Sequence, residues 1–107
     1  MNRLCRFSNM TKDYLSTFYC ILDEMIRNMT EADLTDSISH NFIVQMIPHH
    51  RAAIEMSGNL LKYTTNQSLQ DIASQIIMEQ TKSIENMQNI KCTCGEVRNS
   101  RQDLCRY

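Results

Sequence analysis

Turn-forming residues are nearly missing from this chain: 107 residues contain two glycines and one proline. An all-β fold needs a tight turn about every eight to twelve residues, so this scarcity excludes it and leaves helices. Charge of one sign is not gathered anywhere either. Eleven Lys and Arg stand against twelve Asp and Glu, for a net charge of −1, and no basic stripe exists to neutralise phosphates or hold an anionic membrane. Nucleic acid and membrane surfaces are therefore not expected partners. No window approaches the roughly 20 apolar residues of a membrane span, and polar residues break up the first ten positions where a secretory signal would need an apolar stretch. The expected location is the cytoplasm. The length leaves room for one domain with one modest core.

Catalytic signatures are scarce as well. A di-iron bundle oxidase needs Glu-x-x-His on each of two helices plus further inward glutamates. The chain has no Glu-x-x-His, and Glu55, Glu79 and Glu85 fall off the apolar seams. There is no His-Glu-x-x-His zinc helix, no Gly-rich phosphate loop and no nucleophile in a recognisable motif. An enzyme is not expected.

Soft sulfur is plentiful instead, with eight Met and five Cys while aromatics stay at 7% and Trp is absent. In a reducing compartment the odd set Cys5, Cys20, Cys92, Cys94 and Cys105 is expected to stay reduced. Cys92-Thr93-Cys94 could chelate a soft metal or act as a redox centre, or could be exposed thiols in a frayed tail.

Three long helical patterns account for most of the chain. The first runs from about Thr11 to Met29, with Leu15, Phe18, Leu22, Met25 and Met29 along one seam. The second runs from about Asp36 to Tyr63, with Thr35 or Asp36 as N-cap and the seam Phe42, Met46, His49, Ala53, Met56, Leu60. The third opens at Asn66 or Ser68, with Ser68 and Asp71 at capping-box spacing, and carries Ala73, Ile77, Gln80, Ile84 and Met87 on one face. Short connections force neighbouring helices antiparallel, which predicts an all-α, up-down bundle. The helical domain is assigned to residues 1–91 and a polar Cys-containing tail to 92–107. Three helices leave one side open. A fourth wall could come from the tail, from a second copy of the chain, or from a further repeat, since Leu4-Cys5-Arg6-Phe7 returns as Leu104-Cys105-Arg106-Tyr107. Self-association is expected on the same ground.

One segment does not read as generic bundle. Met46-Ile47-Pro48-His49-His50-Arg51-Ala52-Ala53-Ile54-Glu55-Met56 places a proline and two histidines inside a helical pattern. An interior Pro costs a helix about 3 kcal/mol, through its missing N–H and its clash with the carbonyl four residues back. Pro48 could instead open a helix, but the seam from Phe42 to Leu60 crosses it in phase, which favours one continuous, kinked helix. His49 falls on that seam and His50 on the adjacent stripe of Ile43, Ile47, Ile54 and Leu61, so both imidazoles are expected in apolar surroundings. Met46 is three residues before His49, and Met56 seven after it, so these share a face. Imidazole and thioether without carboxylates suit Cu(I) or Ag(I) rather than Mg or Ca, and Met25, Met29 or Met87 could complete a site. The same methionines also serve as ordinary core filler, and His40 reads as a surface residue.

The run Met-Ile-Pro-His-His-x-x-Ala-Ile-x-Met at Met46 to Met56, with Phe42 before it and Ile77-x-x-Gln80-x-x-x-Ile84-x-x-Met87 after it, resembles the bacterial family called domain of unknown function 305. The resemblance covers about Asp36 to Ile90. It implies a ferritin-like four-helix architecture and, for some relatives, copper or silver binding through His and Met. Carried onto this chain, it points to Met46, His49, His50, Met56 and Met87 as metal ligands. Ser83 stands where relatives often have an acidic residue, and Asn89-Ile90 replace a common aromatic. The leading expectation is a small protein that sequesters or transfers Cu(I) or Ag(I). The alternative is a helical interaction or assembly module whose histidines are structural and which needs no metal.

Overall fold

A computed structural model describes residues 6–90 of the chain, so the tail assigned to 92–107 and four of the five cysteines lie outside the described residues. Three helices follow one another: α1 (Asn9–Thr30), α2 (Ile38–Leu61) and α3 (Gln67–Ile90). The fold is all-α, as the scarcity of Gly and Pro required.

Each helix begins where a short polar side chain satisfies a free backbone N–H. Ser8 caps α1 by accepting from the Thr11 amide at 3.1 Å, so the helix starts two residues before the apolar pattern does. At α2 the cap is Ser37, which accepts from the His40 amide at 3.1 Å, and not Thr35 or Asp36. Thr35 is committed elsewhere: its Oγ1 accepts from the Ser37 amide, while its own N–H and C=O are both held by the Asn41 side chain at 2.8 and 2.9 Å. At α3 the cap is Asn66, whose Oδ1 accepts from the Leu69 amide at 3.0 Å. The Ser68–Asp71 capping box is not formed, because Asp71 accepts from the Gln67 side chain at 2.9 Å.

The helix α2 continues through Pro48, as the in-phase seam predicted. It packs against both of its neighbours, whereas α1 and α3 share no interface of comparable extent. The register is antiparallel throughout. Gln45, near the start of α2, donates to the Met29 carbonyl at the end of α1 (3.1 Å), and Asn59, near the end of α2, donates to the Tyr14 carbonyl near the start of α1 (3.1 Å). Tyr63 meets Tyr14 edge-on at 6.0 Å. On the other flank, Ile43 and Ile47 of α2 share a core with Ile84 and Met87 of α3, with Met46 and Ile54 packed against it.

The result is an open layer, 34 Å across and 15 Å thick, rather than a closed bundle. Its core is correspondingly thin. Ile43 and Ile47 are 4% exposed, Ala52 and Ala73 let helices approach closely, and no residue of α1 is fully buried. Among the described residues, no helix is long and apolar enough to cross a membrane.

Candidate functional site

The position of α2 between two neighbours decides which of its side chains are free. At 3.6 residues per turn, the stripe of Ile43, Ile47 and Ile54 faces α3, and the stripe of Gln45, Ala52 and Asn59 faces α1 on the opposite side. Between these two contact lines lie two uncovered strips. One carries Val44, Arg51 and Glu55 and forms a groove with Ile21, Glu24, Met25 and Asn28 of α1. The other carries Phe42, Met46, His49, Ala53, Met56 and Leu60, the seam that the sequence suggested would be buried.

That seam is only partly covered. Phe42 is 58% exposed and His49 is exposed, while Met46, Ala53, Met56 and Leu60 are half-buried. The expectation that both imidazoles enter apolar surroundings is corrected for His49. The reason is geometric: a middle helix in a single layer buries two opposite stripes, here the isoleucine stripe and the Ala52–Asn59 stripe, and leaves the strips between them open.

The structure brings together part of the candidate ligand set. Met46 is packed against the α2–α3 core of which Met87 is a member. The rings of His49 and His50 have centroids 6.1 Å apart, inclined at 61°. His50 holds its Nδ1 at 3.0 Å from the Met46 carbonyl. A carbonyl only accepts, so this Nδ1 carries a proton, and in the neutral ring the lone pair is then on Nε2, the arrangement in which a histidine is oriented as a metal ligand. Met56 lies two turns from His49 on the same strip, with the small Ala53 between them. Met87 is 9% exposed, a member of the α2–α3 core rather than of the open strip. Met25 is not part of this constellation, since it lines the groove on the opposite side of α2 with Pro48 and Ala52.

His40 is a second correction. It is 6% exposed, and its Nε2 bonds to the Asp33 carbonyl at 2.9 Å. The connection after α1 folds back over the first turn of α2 and supplies that carbonyl, so this histidine is structural. Asn59 and Gln45, which tie α1 to α2, carried no apolar signal that a seam analysis could detect. Cys20 is a free, exposed thiol. Among the described residues, no group of three or more His, Cys, Asp and Glu is placed to hold a metal ion.

Comparison with known proteins gives a family and no function. No curated protein and no solved structure matches the chain. A family model, described as Domain of unknown function (DUF305), matches residues 19–102, extending beyond Asp36–Ile90 to take in most of α1 as well as residues past Ile90. With most of its length matched, including the whole His and Met strip, the chain belongs to the DUF305 family.

Proposed function

We propose that this protein binds Cu(I) or Ag(I), for sequestration or transfer, through the imidazoles and thioethers of the open strip on α2. The observation that carries this reading is the exposure of His49 beside half-buried Met46, with the His50 Nδ1 turned to the Met46 carbonyl. The donor set fits a soft monovalent ion. Two imidazoles sharing one ion at about 2.0 Å per bond have ring centroids about 5–6 Å apart, depending on the angle between the bonds, and His49 and His50, at 6.1 Å, lie near the upper end of that range. Met46 is three residues before one of them and four before the other, so its sulfur can reach the same point. Met56 would supply a further thioether along the strip, and Met87 would back Met46 from the core. The strip carries no carboxylate, which disfavours the hard cations.

The ferritin-like, four-helix architecture of the family belongs to the same proposal. It is supported by the open side of the layer, where α2 and α3 present two of the four walls. A second functional reading, an assembly module without metal, is supported by the hydrogen bonds that already engage His40 and His50.

An anaerobic titration of the full chain with Cu(I) against a chromophoric chelator separates the two readings. The expected result is withdrawal of Cu(I) from the chelator, weakened about 10- to 100-fold in His49→Ala and in Met46→Leu and unchanged in His40→Ala. Failure of the native protein to compete, or equal uptake by all variants, overturns the metal reading in favour of the assembly module.

A further inference from the structure

The layer has two broad faces of opposite character. Around the groove that carries Arg51 and Glu55, the surface also presents Glu24 and Lys62, as a solvent-facing surface should. On the other side, the α2 strip is flanked by Tyr19 and Ile26 of α1 and by Ile72 and Ile90 of α3, all more than 40% exposed. Helical phase puts these side chains on the same side as Phe42, and Phe42 and Ile90 do line one apolar groove together with Ile38 and Met87. Along the strip from Phe42 to Leu60 there is no Asp, Glu, Lys or Arg. Exposed Phe42, Tyr19, Ile26, Ile72 and Ile90 around the half-buried α2 strip make an apolar surface of the kind that marks an interaction site.

We infer that this face is the interface of a homodimer, in which two three-helix layers pack apolar face to apolar face with α2 against the partner's α2. Area favours a second copy. Helices of 24 residues are about 36 Å long, and three abreast at 8–10 Å between axes span roughly 28 Å. The face therefore offers on the order of 1,000 Å², above the roughly 800 Å² per partner of a standard interface. The chain's own remaining segments suit the role poorly. Lys91 to Tyr107 contain, apart from cysteines, only Val97, Leu104 and Tyr107 as large apolar residues, spread among four Lys or Arg and two acidic residues. A two-fold axis also needs no charge complementarity along the α2 strip, which carries no charged residue, because an isologous contact pairs each patch with itself.

In such a dimer α2 and α3 of both copies form a four-helix core with α1 on the flanks, and the imidazole and thioether strips of the two copies meet. The inference goes beyond the metal reading and does not require it. Its test is therefore run with a Cu(I) chelator present, so that either can fail alone.

Sedimentation equilibrium of the full chain is compared with Ala53→Arg at the centre of the strip, Ile72→Lys on the flanking helix, and Arg51→Glu on the charged face, with helicity followed by circular dichroism. The expected result is a dimer at micromolar concentration whose dissociation constant rises at least about 100-fold in Ala53→Arg. Ile72→Lys should weaken it in the same direction and Arg51→Glu should leave it unchanged. Because Ile72 is already half exposed, its substitution keeps the test valid should Ala53→Arg fail to fold. A native monomer at 100 µM overturns the inference, whether its face binds a hydrophobic dye, as an uncovered surface would, or does not, as a face covered by the chain's own terminal segment would not. A dimer indifferent to both face substitutions also overturns it.

Discussion

On one side of α2 the strip of Arg51 and Glu55 meets water as charged residues do, and nothing about it asks for a partner. On the other side Phe42, Met46, Ala53, Met56 and Leu60 repeat at helical spacing as core residues do, yet the neighbouring helices cover them only in part. The comparison teaches that an apolar seam identifies a surface that costs free energy to leave in water without saying which surface will cover it. In a closed bundle the covering surface would come from the same chain. Here α1 and α3 flank α2 on opposite sides, and the amphipathic pattern is satisfied only in part.

The largest expected effect separates the covered stripe of α2 from the open one. Ile47 is 4% exposed in the shared core with Ile84 and Met87, so Ile47→Ala should destabilise the fold by about 3 kcal/mol through lost burial and a residual cavity. Phe42, the larger side chain but 58% exposed, should cost less than about 1 kcal/mol as Phe42→Ala in dilute solution. Urea denaturation at low protein concentration measures both. Equal losses would mean that the open face is covered within one chain, and the contrast drawn between the two stripes would fail.

Much of this was legible in the sequence. Of the α3 seam, Ala73, Ile84 and Met87 are buried and Ile77 and Gln80 half-buried, as their spacing suggested, and the continuity of α2 through Pro48 followed from the phase of the seam on either side. The choice between α2's two apolar stripes was not legible, because periodicity gives the angle between residues and carries no information about where neighbouring helices stand. The isoleucine stripe won over the Phe42 seam. Its compact β-branched side chains pack against α3, while the unbranched methionines and His49 remain on the open side. Of the candidate ligands, Met46, His49, His50 and Met56 were legible as neighbours on a helix surface, whereas the place of Met87 in the core shared with Ile43 and Ile47 needed the register between α2 and α3.

A smaller effect distinguishes the histidines. His40 is buried and bonded to the Asp33 carbonyl, so His40→Ala should cost about 1–2 kcal/mol by leaving that carbonyl unpaired. His49 is exposed, and His49→Ala should change the stability of metal-free protein in dilute solution by less than about 0.5 kcal/mol. The two substitutions should exchange rank in the Cu(I) titration, where the His40 variant behaves as native and the His49 variant does not. A large loss of stability in His49→Ala would place that imidazole in the fold rather than in the site. Sequence spacing had suggested the opposite assignment for His40, since the connection that folds back over it has no periodic pattern.

The smallest expected effects test how the layer is started at each helix. Ser37 and Asn66 satisfy the first free amides of α2 and α3, and replacing either by Ala should cost about 1 kcal/mol. Asp36 and Ser68 were equally plausible caps by residue type, but neither side chain accepts from an amide of the helix it precedes or begins, so Asp36→Ala and Ser68→Ala should stay within a few tenths of a kcal/mol. Thermal unfolding of the four variants ranks them. The physical content is that a cap is chosen by the whole turn: the Thr35 hydroxyl accepts from the Ser37 amide, and the Thr35 backbone is clamped by Asn41. That fixes the chain so that Ser37, and not its neighbour, sits at the free end of α2. Should Asp36→Ala prove as costly as Ser37→Ala, the helix would begin one residue earlier. The phase of every side chain on α2 would still be set by Ile43 and Ile47 against α3, so the two faces of the layer would keep their characters while the cap changed hands.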